Sequence, residues 1–242
     1  MNSPEPLVSY PVPWDLVFGL TPHLANRTTR NITDFTAQIV ARMNPAPLIE
    51  GLDLLPADAR FILAANHYQR PGLWILHTAA ALTQAIVRRY GPQDPPVKWI
   101  VTANWPPWKI GPWKIPSPGD RLLPKVADAL QCYPVSFAGA NPEYTARSVR
   151  RILKDARSLT RPIGIFPEGV AGSAGVLTDP LPGVERLLLH LAKHGWPVVP
   201  CGVSESGRRL VLRFGPPVTT GEITEAADET ARLTMSRIAQ LL

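Results

Sequence analysis

Cysteine is scarce in this chain of 242 residues: there are two, Cys132 and Cys201, far apart. They have neither the spacing of a zinc site nor the density of a disulfide framework, so we expect buried free thiols and a reducing compartment. Charge is also thin, at 18% of residues, and its surplus is positive, +6. Such a surplus suits an anionic membrane surface, a nucleic acid or an anionic substrate alike. Long apolar runs are missing. The longest, residues 73–87, is shorter than the roughly 18 residues that span a bilayer, and His77, Thr78, Thr83 and Gln84 interrupt it. Residues 1–13 lack a basic stretch followed by an apolar one, so no secretory signal is read there. No Gly-Lys-Ser/Thr phosphate loop occurs. We expect a cytoplasmic protein, soluble or bound peripherally to a membrane surface.

Proline, in contrast, is plentiful: the 28 residues are more than twice the average share, which predicts many ordered but irregular connections. Residues 14–20 are short and apolar. Residues 31–43 read as a helix, with Ile32, Phe35, Ile39, Val40 and Met43 near helical spacing, and Asn44-Pro45 stops it. We read residues 1–47 as an N-terminal helical segment, either packed on the domain or lying in a bilayer interface. Residues 48–242 read as one α/β domain. Strands are expected at 48–55 (with a turn), 60–65, 97–102, 132–137, 162–166, 197–203 and 209–214. Helices are expected at 73–90, 122–130, 144–159, 183–193 and 224–242. Their alternation implies crossover connections, hence a mixed, largely parallel sheet flanked by helices.

Three stretches carry chemistry. The apolar run 61–65 ends abruptly in Asn66-His67, and the turn signal Pro71-Gly72 follows. A histidine at a strand's end stands where ligands bind in open α/β sheets; it is a general base, or a core or capping histidine with a satisfied hydrogen bond. About a hundred residues later a strand runs into Phe166-Pro167-Glu168-Gly169, then Gly172, Ser173 and Gly175. A Gly-rich turn there offers backbone N–H groups to an anion or oxyanion. Between them, residues 104–120 are too rich in proline for a regular helix or central strand. In that stretch Trp105, Trp108 and Trp113 alternate with Lys109 and Lys114. This is membrane-interface chemistry, or a proline-stiffened loop covering the core. A nucleic-acid partner is set aside, because no recognition motif accompanies the tryptophans. Helix 144–159 adds a basic face of Arg147, Arg150, Arg151, Lys154 and Arg157.

In this order the pieces resemble the glycerolipid acyltransferases, the family of lysophosphatidic acid acyltransferase. The anchors are Asn66-His67, Tyr133-Pro134-Val135, Phe166-Pro167-Glu168-Gly169, and Val198-Val199-Pro200 leading to Phe214-Gly215-Pro216-Pro217. The resemblance implies a glycerolipid-acyltransferase-like fold over 48–242. It also implies transfer of an acyl group from an acyl-CoA or acyl carrier protein thioester to a lipid hydroxyl, with no cofactor or metal. His67 would take the hydroxyl proton and Glu168 would orient it or shape the site. Asn66, Arg70, Gly72, Phe166, Pro167 and Gly169 would line the substrate site. Three positions depart from the family pattern. The aspartate that orients the histidine is Gly72, the phosphate-gripping arginine of the Glu-Gly motif is Ala171, and Phe137 stands near where a second arginine is usual. Arg70 is the natural replacement cation. Two readings follow: an acyltransferase with an altered acceptor, or a catalytically impaired relative that binds lipid, acyl chains or a protein partner.

Overall fold

A parallel strand covered on both faces needs apolar residues along its whole length, and the runs of Ile, Leu, Val and Ala supply it. The computed structural model describes residues 8–104, 108–110, 113–115, 119–136, 142–170, 176–219, 221–223 and 226–242. Its strands are β1 (Leu48–Glu50), β2 (Ile62–Ala65), β3 (Lys98–Thr102), β4 (Trp108–Ile110), β5 (Trp113–Ile115), β6 (Tyr133–Val135), β7 (Ile163–Ile165), β8 (Val198–Ser206) and β9 (Arg209–Phe214). Seven of these form one sheet in the order β1-β9-β8-β2-β7-β3-β6. Neighbours are parallel except the β8–β9 hairpin. Strands β2 and β7 lie at the centre and are buried throughout.

Alternation along β2 divides the core between the two faces. Leu63 and Ala65 join Phe61, Leu82, Ile86 and Phe214 on one side. Ile62 and Ala64 join Ile152, Leu188, Trp196 and Ile238 on the other. Helix α4 (Ile75–Tyr90) thus covers the first face. Helices α6 (Pro142–Asp155), α7 (Val184–Lys193) and α8 (Ala227–Ala239) cover the second. Helix α5 (Gly119–Ala129) precedes β6. The sheet is mixed and largely parallel, flanked by helices, as the alternating pattern predicts. Cys132 and Cys201 are buried free thiols.

Of the N-terminal helices α1 (Trp14–Phe18), α2 (Thr21–Asn26) and α3 (Ile32–Ala41), α3 packs on α4 and α2 on α5, and Leu16 of α1 joins the α3–α4 cluster. Asn31 caps α3 by accepting the Asp34 N–H at 2.9 Å. The apolar stripe of α3 is satisfied by protein: Phe35 and Ile39 cluster with Leu16, Leu20 and Ala80. No helix among the described residues is long and apolar enough to cross a membrane. Strands β4 and β5 form a separate two-stranded antiparallel ribbon that pairs Trp108 with Ile115, Lys109 with Lys114 and Ile110 with Trp113. Proline at the flanks is consistent with a ribbon kept out of the main sheet.

Trp99 of β3 lies beside Gly164 of β7 in the ladder, and its ring fills the space a side chain would take. A Cβ at position 164 would sit 2.4 Å from the indole. We expect Gly164→Ala to cost about 1–3 kcal/mol by overpacking. A urea titration should show a lower midpoint with an unchanged slope; an unchanged midpoint would mean that the indole moves aside freely.

Candidate active site

Parallel register brings the two chemical corners together. Ala64 of β2 pairs with Ile165 of β7, so His67 and Glu168 each lie three residues beyond a paired position, at the carboxyl ends of adjacent strands. The His67 main-chain N–H donates to Glu168 Oε1 at 2.8 Å. Glu168 Oε2 accepts from the Thr178 N–H at 2.7 Å and the Thr178 hydroxyl at 3.1 Å. The carboxylate is buried and filled by these three donors. It therefore ties the His67 backbone to the opposite loop and makes no hydrogen bond with the imidazole.

The imidazole is held by packing. Its ring meets Phe166 edge-on, with centroids 5.4 Å apart at 68°. Phe166 in turn stacks on Trp99 at 4.9 Å and 8°. Trp99 is anchored by its Nε1–H, which donates to the Thr83 hydroxyl of α4 at 3.0 Å. Nδ1 of His67 is buried and has no hydrogen-bond partner among the described residues. Burial pushes the His67 pKa below its ordinary 6.5, and its own backbone and the nearby Glu168 charge oppose that only in part. The ring is thus neutral near pH 7, as a proton acceptor must be.

The loop after β2 is gripped from the β8 side. The β2–β8 ladder ends at Ala65 and Cys201. From there the Asn66 side chain takes over, donating to the Val203 carbonyl at 2.9 Å and accepting the Val203 N–H at 2.6 Å. The Tyr68 hydroxyl donates to Glu205 Oε2 at 2.8 Å, and Arg70 Nε donates to the same oxygen at 2.6 Å. Arg70 Nη2 reaches Glu205 Oε1 and also the Val8 carbonyl, the latter at 2.7 Å. Arg70 Nη1 donates to the Pro71 carbonyl at 2.7 Å. The guanidinium that the sequence suggests as a phosphate ligand is therefore committed to a buried carboxylate and to main chain.

Gly72 has φ +79, and a Cβ there would lie 2.7 Å from Ser9 Oγ. Its carbonyl accepts the Tyr10 N–H at 2.6 Å. The place where an aspartate would project is filled by the N-terminal segment. Gly169 has φ +63, and a Cβ there would meet Leu181 at 2.0 Å. Its N–H returns to the Phe166 carbonyl at 2.9 Å, and the Pro167 carbonyl accepts the Leu181 N–H at 2.9 Å. Gly172, Ser173, Gly175, Ala171, Phe137 and Trp105 lie outside the described residues, as do the side chains of Trp108, Lys109, Trp113 and Lys114.

Three neighbours of this corner escape the sequence reading: Glu205, Thr178 and Trp99. Glu205 had one visible signal, a single acid just beyond the apolar run of β8. Beside the Glu168 corner lies a cavity of about 830 Å³, lined by Ser136, Thr145, Ala146, Val149, Arg150 and Leu181 among others. Leu181 joins it to the site, since it also packs on Gly169.

No family model and no curated protein matches the chain. Among solved structures, it is similar to the 1-acyl-sn-glycerophosphate (LPA) acyltransferase PlsC from Thermotoga maritima. The TM-score is 0.53 and the identity 16%, over 87% of this chain and 76% of that one. The shared feature at that identity is the fold, a mostly parallel sheet flanked by helices.

Because position 72 combines a left-handed backbone with contact to Ser9, we expect Gly72→Asp to destabilise by about 1–3 kcal/mol. Calorimetry should show a lower transition temperature, partly restored by adding Ser9→Gly. A variant as stable as the parent would mean that the N-terminal segment yields without cost.

Proposed function

We propose that this protein is an acyltransferase that moves a fatty acyl group from an acyl-CoA or acyl carrier protein thioester to a hydroxyl of a lysophospholipid or related lipid acceptor. The observation that carries this reading is the His67 imidazole, neutral and packed on Phe166, at the corner that meets Glu168. The fold shared with an LPA acyltransferase supports it. In the reaction His67 takes the acceptor's O–H proton, and the oxygen attacks the thioester carbonyl. The tetrahedral intermediate collapses to the ester and expels the thiolate, which takes the proton back from the imidazolium. No covalent enzyme intermediate and no metal is required.

Glu168 holds the His67 main chain and so shapes the site. The cavity beside it is mostly apolar and has Arg150 in its lining. It suits an amphiphile with an acyl chain and an anionic group, and Arg150 then supplies the cation that Ala171 and Phe137 do not. Peripheral binding to the cytoplasmic face of a membrane, with Trp105, Trp108, Trp113, Lys109 and Lys114 toward the headgroups, fits the net charge of +6. A second reading is favoured by the unpartnered Nδ1: a relative that binds lipid but turns over slowly.

Thioesters of both carriers, offered with a panel of lysolipid and alcohol acceptors, discriminate the two. Thiol release should require an acceptor and should fall by about 10²–10⁴ in His67→Ala; an unchanged rate in that variant removes the mechanism. Saturable lipid binding without turnover selects the second reading. The rate should rise with pH through an apparent pKa below 6.5 and level off above it, because the neutral imidazole is the active form. Arg150→Ala should raise KM for an anionic acceptor about 10-fold relative to a neutral one; equal effects would place the headgroup elsewhere.

A further inference from the structure

A histidine base works only when its ring is held in one orientation, and His67 Nδ1 is buried with no hydrogen-bond partner among the described residues. We propose that Glu205 is a positioning residue for His67, acting at one remove by holding Tyr68 and Arg70. This rests on reading His67 as the base.

The geometry has two halves. Strand β2 lies between β8 and β7 in the sheet, and the loop leaving it is gripped from both. On the β8 side the side chains of Asn66, Tyr68 and Arg70, at alternate positions, are bonded to Val203 and Glu205. On the β7 side the intervening His67 gives its main-chain N–H to Glu168 and its ring to Phe166. The Tyr68 N–H donates to the Asn66 carbonyl at 2.9 Å and closes a tight three-residue turn with His67 at its apex. Fixing both ends of that turn, Asn66 and Tyr68, to β8 therefore holds its apex residue His67 in place, with its ring against Phe166.

The chemistry explains why the residue at 205 is an acid. Tyr68 and Arg70 bring three donor contacts to one place, and the single group that accepts them all is the Glu205 carboxylate. The side chains of Arg70 and Glu205 are 8% and 5% exposed, so water does not compete for them. Arg70 also bonds the Val8 carbonyl, which ties the N-terminal segment into the same grip. That segment fills the space in front of Gly72, so orientation here is imposed through the backbone.

A buried pair that serves stability alone would make different predictions. We would compare the full-length protein with Glu205→Gln and Glu205→Ala, and with Arg70→Met/Glu205→Leu, which replaces the pair by apolar groups and keeps the fold if a single variant loses it. Two readouts are needed. In steady-state kinetics kcat should fall at least tenfold in Glu205→Ala and in the double variant, and less in Glu205→Gln, which retains an acceptor. KM for thioester and acceptor should stay within twofold. In ¹⁵N-histidine spectra the parent should give His67 ring shifts of one tautomer, assigned by their loss in His67→Gln. In the Glu205 variants these should move toward averaged values, while the other four histidines keep theirs. Unchanged His67 ring signals in folded Glu205→Ala, or an unchanged kcat, would overturn the proposal. If the parent transfers no acyl group at all, the reading of function fails, and the ring signals still decide whether Glu205 orients His67.

Discussion

Two hydrogen bonds from one amide side chain mark where the sheet ends and the site begins. At Ala65 the parallel ladder with β8 stops, yet β8 runs on to Ser206 and keeps offering main-chain donors and acceptors. Left unpaired in a buried place, each such group would cost about 1–3 kcal/mol. The Asn66 amide satisfies both at Val203, donor to acceptor and acceptor to donor. One residue further, the chain is free to leave the sheet with its direction set. The placement of His67 against Phe166, of Tyr68 and Arg70 on Glu205, and of Gly72 beneath the N-terminal segment all follow from that turning point.

Polarity in this site is spent on backbone and packing on the imidazole. Glu168 and Glu205, the two buried acids around the loop, are filled by N–H and O–H donors. Burial, with help from Glu205, pushes the Tyr68 hydroxyl up to about 12, so it is a donor at every physiological pH. His67 is left with an aromatic wall on Phe166 and Trp99, and desolvation keeps it neutral. On the proposed reading, this arrangement supplies a base without a carboxylate hydrogen-bonded to its Nδ1.

Much of this was legible in the sequence for a simple reason. Central parallel strands are written as short apolar runs, and β2 and β7 end at the polar corners that the pattern marks. Their common register, Ala64 with Ile165, then brings His67 to Glu168. Helices α3, α4, α5, α6, α7 and α8 also follow their apolar spacing to within a few residues at their ends, whereas α2 is not marked by the pattern. What stayed hidden depends on contacts between distant segments. Arg70 beside a histidine reads as a ligand for phosphate, because its partner Glu205 lies 135 positions away. Gly72 reads as a missing aspartate, because nothing local says that Ser9 comes to rest against it. The strand expected at 132–137 is observed over Tyr133–Val135, where it pairs with β3, and Phe137 lies outside the described residues.

The contact of Ser9 with Gly72 also constrains how such a site can change over generations. A side chain at 72 has no room while Ser9 is in place, and Ser9 sits beside main-chain bonds from Val8 and Tyr10 to the loop. An aspartate at 72 would have to displace a segment that supports Arg70. Substitutions at 9 and 72 are therefore coupled, and the effect of either depends on the residue at the other.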